Sequence, residues 1–82
     1  MLEIDYQLLQ TPIQVGTVTG EILVANTVIQ TFTQNTGGSF AITDVSGTGA
    51  KVSNLTLNPT TGVLTATWTS TPGAHTLSNV TY

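Results

Sequence analysis

The chain has no cysteine, no arginine and a single lysine among its 82 residues. Without cysteine there is neither a disulfide framework nor a thiolate site, and the composition fits a reducing compartment. One cation cannot neutralise a run of phosphates, which argues against nucleic-acid binding. It also excludes a polybasic membrane patch. Acids are scarce too: charged residues make up 6% of the chain, against ~25% in ordinary soluble domains. Beyond Glu21 only Asp44 and Lys51 carry charge, and these cancel. A free domain normally keeps a mixed charged surface to stay apart from its own copies, and this one lacks it.

Other absences narrow the class further. The opening "MLEIDYQLLQ" has no basic stretch and places two acids early, so it reads as a poor export signal. An intracellularly made product is expected. The longest near-apolar run, "EILVANTVIQ", is far short of the ~20 residues of a membrane span. Yet 39% of residues are hydrophobic, too many for a disordered, charge-rich chain.

Threonine is the commonest residue, and with valine it favours strands because a branched Cβ packs well on a pleated surface. Turn signals recur every eight to twelve residues, at Thr11–Pro12, Asn35–Ser39, Ser46–Gly49, Asn58–Gly62 and Ser70–Gly73. Between them, "EIDYQLL" alternates Ile4, Tyr6 and Leu8 against Glu3, Asp5 and Gln7, and "IQVGTVT" puts Ile13 and Val15 on one face. "EILVANTVIQTFT" reads as one bent strand or as two strands broken near "ANT". "SFAITDV", "KVSNLTL" and "VLTATWT" offer Phe40 and Ile42, Leu55 and Leu57, and Leu64, Ala66 and Trp68. "HTLSNVTY" places Val80 and Tyr82 on one face and Leu77 on the other. The expectation is a single all-β domain over residues 1–82, a small sandwich of about six to eight short antiparallel strands. Trp68 is expected to anchor its core against Phe40, Leu55 and Leu57.

The segment "NLTLNPTTGVLTATWTSTPGAHTLSNVTY" resembles the C-terminal half of the cadherin-like immunoglobulin domains of bacterial surface proteins. The shared features are a leucine-rich strand, an Asn-Pro-x-Thr-Gly turn, a short alternating strand, a Pro-Gly turn and a closing strand. The likeness spans about half the chain, roughly residues 40–82. It implies an immunoglobulin-like sandwich and says little about activity. The chain departs from the pattern at Ala66-Thr67-Trp68, where the family usually has Gly-Thr-Pro. It also lacks the acid clusters of the calcium-binding members.

Candidate chemistry is thin. His75 with Asp44 and one of the serines could make a nucleophilic triad, but no Gly-x-Ser-x-Gly elbow is present, and a half-exposed turn histidine is the simpler expectation. Glu3 and Asp5 lie two apart on a strand and so share a face; they could ligate calcium, form a paired acid site, or simply be solvated. "NTGGS" lacks the lysine and helix of a phosphate loop and reads as a hairpin tip. Asn54 and Asn79 match glycosylation sequons by chance in a threonine-rich chain. Tyr6, Trp68 and Tyr82 could form a sugar-binding platform.

No catalytic set, cofactor or metal is expected. The profile resembles that of a bacteriophage capsid decoration (cement) protein, assembled in the host cytoplasm and carried on the capsid exterior. Its partners would be the major capsid protein or other virion subunits. A homo-oligomer is expected, with a trimer the form the resemblance implies. The contact residues expected are Glu3, Ile4, Asp5, Tyr6 and Leu8, within an N-terminal segment (1–10) that docks on or exchanges with a neighbour. The alternative is an immunoglobulin-like module that binds carbohydrate or a cell surface, for example in a tail or fibre.

Overall fold

The computed structural model describes residues 2–8, 16–47 and 49–81. Seven strands follow in order: β1 (Leu2–Gln7), β2 (Thr19–Val24), β3 (Thr27–Gln34), β4 (Phe40–Asp44), β5 (Val52–Asn58), β6 (Val63–Trp68) and β7 (His75–Thr81). They form two antiparallel sheets, β1-β6-β5 and β4-β3-β2-β7. The fold is therefore the all-β sandwich the alternation predicts. The order β1-β6-β5 against β4-β3-β2-β7 is the order of strands B-E-D against C″-C′-C-F in a variable-type immunoglobulin sandwich.

Local chemistry sets the breaks. Val24 pairs with Thr27 across a two-residue hairpin in which Ala25 and Asn26 both have positive φ, the geometry of a type I′ turn. That turn divides "EILVANTVIQTFT" into two strands. At the β5–β6 turn the Asn58 carboxamide oxygen accepts from the Thr60 and Thr61 amides, and the Gly62 amide bonds back to the Asn58 carbonyl. This is an Asx turn. Asn35–Ser39 is a hairpin tip closed by backbone bonds in both directions. The expected strand over 13–19 is not seen where it can be judged, since Thr17 and Val18 precede β2. Ile13, Val15 and the Thr11–Pro12 turn lie outside the described residues.

The core is filled by the inward faces of both sheets: Val18, Ile22, Ile29 and Phe32 from one side, Val52, Leu55, Leu64, Ala66 and Trp68 from the other, with Leu8 at one end. Trp68 and Leu55 are buried as expected of core anchors, while Phe40 and Leu57 are half-buried and pack against the cluster from its margin.

One expectation about β7 is corrected. Leu77 and Val80 are not on opposite faces. The register between β2 and β7 slips between Thr19 and Glu21, leaving an extra residue on β7 where Asn79 takes φ 51°. This bulge turns both Leu77 and Val80 toward the core. Tyr82 lies outside the described residues.

Opposite the bulge, Gly20 pairs with Phe32, whose ring covers it. A Cβ on Gly20 would fall 2.7 Å from Phe32 Cζ and 3.1 Å from Val80 Cγ2. Phe32 is buried and cannot swing away. Gly20→Ala should therefore destabilise by about 1–3 kcal/mol through overpacking, read as a lower urea midpoint at unchanged slope.

Candidate association surface

Trp68 is 0% exposed, and among the described residues its indole N–H meets no partner in good hydrogen-bond geometry, the Tyr6 side chain being its polar neighbour. The Tyr6 hydroxyl lies 2.8 Å from His75 Nδ1. The His75 ring stands edge-on to Tyr6 and tilted against Trp68, with centroids 5.8 Å and 5.7 Å away. Burial pushes the Tyr6 phenol above its ordinary pKa, and the neighbouring Trp68 opposes that rise. Ala66 is buried between Leu64 and Trp68 on the inward face of β6. The aromatic trio joins β1 and β6 of one sheet to β7 of the other. It thus closes one open margin of the sandwich.

The other margin is closed by Gln30. Its side chain is 1% exposed. Its Oε1 accepts from the Val52 amide at 2.8 Å, and its Nε2 donates to the Val52 carbonyl at 2.9 Å and to Asp44 Oδ1 at 3.0 Å. A side-chain amide here stands in for a strand, satisfying the backbone of β5 from the opposite sheet. Lys51 Nζ lies 3.5 Å from Asp44 Oδ2 beside it. A second buried glutamine, Gln34, accepts from the Gly16 amide and donates to the Gly38 carbonyl. Sequence reading passed over both. A signal was there: Gln30, Phe32 and Gln34 share one face of β3, so an inward Phe32 takes both glutamines with it.

The candidate residues are dispersed. His75 begins β7 and Asp44 ends β4, at opposite edges of the four-stranded sheet, and each is engaged elsewhere, so the triad pairing is not formed. Glu3 and Asp5 do share the outer face of β1, where Asp5 accepts from the Thr65 hydroxyl. Among the described residues no third acid or histidine joins them. Asn54 is exposed on β5, and Asn79 donates from the bulge to Glu21 Oε1 at 2.7 Å. The aromatic platform is also corrected: Trp68 is sealed in the core and Tyr6 is half-buried against His75. Both rings point inward because their strands alternate that way.

Of the five residues expected to contact a partner, Leu8 is in the core and Ile4 and Tyr6 face it; Glu3 and Asp5 are exposed. β1 pairs along its whole length with β6 of the same chain.

What the sandwich offers outward is nearly uncharged. On the four-stranded sheet the register aligns Thr43, Thr31, Glu21 and Ser78 in one row and Ala41, Thr33, Thr19 and Thr81 in the next. On the three-stranded sheet the rows are Asp5, Thr65, Thr56 and Glu3, Thr67, Asn54. Threonine ladders of this kind present methyls that pack and hydroxyls that bond. No family model, curated protein or solved structure matches this chain.

Proposed function

We propose that the chain is a non-enzymatic structural protein of a virion, a bacteriophage capsid decoration protein that binds the shell exterior and bridges its subunits. The observation that carries this reading is the distribution of charge. Lys51 and Asp44 pair with each other, the remaining carboxylates are confined to β1 and β2, and the rest of both outer faces is hydroxyl, amide and methyl. A surface so poorly equipped to keep copies apart suits a protein that lives against neighbours. The work is association without chemistry: burial of apolar area at ~25 cal/mol per Å² over interfaces of ~1,200–2,000 Å². Repetition over a lattice turns weak contacts into avidity, and binding only the assembled shell stabilises it by linkage.

The carbohydrate-binding alternative needs exposed rings, and among the described residues neither Trp68 nor Tyr6 supplies one. The likeness to cadherin-like surface domains adds only the sandwich architecture to the argument.

The test uses virions purified from a culture that makes the chain. Gold-labelled antibody should decorate the shell surface in regular copy number, and adding the chain back to stripped shells should raise their melting temperature. A chain found only in the soluble fraction, and without effect on stripped shells, would overturn the reading.

A further inference from the structure

A sandwich has four strand edges, and three of these are blunted. β7 carries the Asn79 bulge, and β5 carries an extra residue at Ser53 and is covered at Val52 by the Gln30 amide. Both devices discourage strand addition. β1 is regular, but its edge is acidic. The Leu8 amide bonds to the Gly62 carbonyl of the neighbouring hairpin, so by alternation Glu3, Asp5 and Gln7 carry the outward-pointing backbone groups. Two copies meeting there would set Asp5 against Asp5, which is repulsive.

β4 differs. It pairs with β3 in unbroken register from Gln34–Phe40 to Gln30–Asp44. The bonds from Asn35 to Ser39 and from Val45 to Ile29 fix the alternation. Ala41 and Thr43 direct their backbone groups at β3, while those of Phe40, Ile42 and Asp44 point away from it. No described residue hydrogen-bonds the backbone groups of these three. Phe40 and Ile42 are half-buried at the core margin.

We infer that β4 is a self-association edge, and that its occupant is β4 of a second copy, paired antiparallel about a two-fold axis at Ile42. The inference rests on the reading of the chain as an associating protein and specifies how it meets its own kind. In this register Ile42 faces Ile42 of the second copy, and Phe40 faces its Asp44 in both directions. All three outward pairs are then hydrogen-bonded pairs, giving about six bonds. The two four-stranded sheets become one continuous sheet, and the half-buried Phe40 and Ile42 side chains gain cover. Charge permits this approach. Each Asp44 already has its own Lys51. The two Glu21 side chains lie five strand spacings apart, about 24 Å, well beyond the screening length of about 8 Å in physiological salt. An isologous contact of this kind closes as a pair; a trimer requires another surface.

The test is sedimentation of the intact chain from low to high micromolar concentration, with amide exchange followed residue by residue. Mass should double with concentration. The Phe40, Ile42 and Asp44 amides should exchange at least about tenfold more slowly in the paired state, with Glu3 and Asp5 unchanged. Ile42→Pro removes an outward N–H that β3 does not use and should abolish pairing while the far-ultraviolet spectrum is retained. Should that variant unfold, the wild-type exchange pattern alone decides. A wild-type monomer or trimer at every concentration, or protection on the β1 edge in place of β4, overturns the inference. A wild-type monomer that still coats shells ends this inference alone; a β4-paired dimer that ignores shells ends only the decoration reading.

Discussion

Gln30→Leu should remove a large share of the protein's stability. The substitution keeps most of the volume and removes every polar contact of the side chain. Val52 is 4% exposed, so its amide and carbonyl would be stranded without partners. Each stranded group costs about 1–3 kcal/mol, for a total of roughly 2–6 kcal/mol. The whole stability expected of a chain this size is only roughly 4–12 kcal/mol. In a thermal melt followed by circular dichroism, the midpoint should fall by at least about 10 °C. Gln30→Glu sharpens the test. It keeps an acceptor for the Val52 amide but at neutral pH presents a carboxylate to the Val52 carbonyl and to Asp44. Desolvation and the like charge would hold that carboxyl protonated to higher pH than in the unfolded chain. Stability should therefore recover in acid, where the group can donate again, and be lost as the pH rises through its folded-state value. A Gln30→Leu protein that melts like the parent would remove Gln30 from its role as the tie between the sheets.

Trp68→Ala should cost about 3–5 kcal/mol, the range for deleting a large aromatic from a core. The ring is wholly buried and packs against His75, so its loss opens a cavity at the meeting point of three strands. Trp68→Phe should be far milder, about 1–2 kcal/mol, because it also removes an indole N–H that meets no well-placed partner among the described residues. Urea unfolding of the three proteins checks the ranking. A sugar platform would behave in the opposite way: Trp68→Ala would abolish binding and leave the urea midpoint unchanged.

How much of this was legible in the residues varies along the chain. The alternation of Leu64, Ala66 and Trp68 was readable because β6 is the central strand of its sheet, with one face buried and a regular register. Asn58-Pro59 and Gly62 were readable because turn chemistry is local. The facing of Leu77 and Val80 was not, because a single extra residue at Asn79, set against Gly20 on β2, inverts the period-2 rule beyond it. The paired glutamines were missed for a related reason. Composition marks Gln as a surface residue, and the partners are not announced by the local pattern: Val52 on the opposite sheet and Asp44 on β4 for Gln30, Gly16 and Gly38 for Gln34. The acids on β1 were read correctly as a shared exposed face. Their neighbours Ile4, Tyr6 and Leu8 belong to the inner face of the same strand and were grouped with them only by sequence proximity.

The placement of the two side-chain bridges bears on how the molecule opens. Tyr6 and His75 bind one flank, Gln30 and Val52 the other, and each spans the gap between layers. Neither layer can peel from a side without breaking a polar tie, so partial opening gains little entropy before the enthalpic loss is complete. The sandwich should therefore unravel as one cooperative unit, with no fraying intermediate to seed disorderly strand exchange.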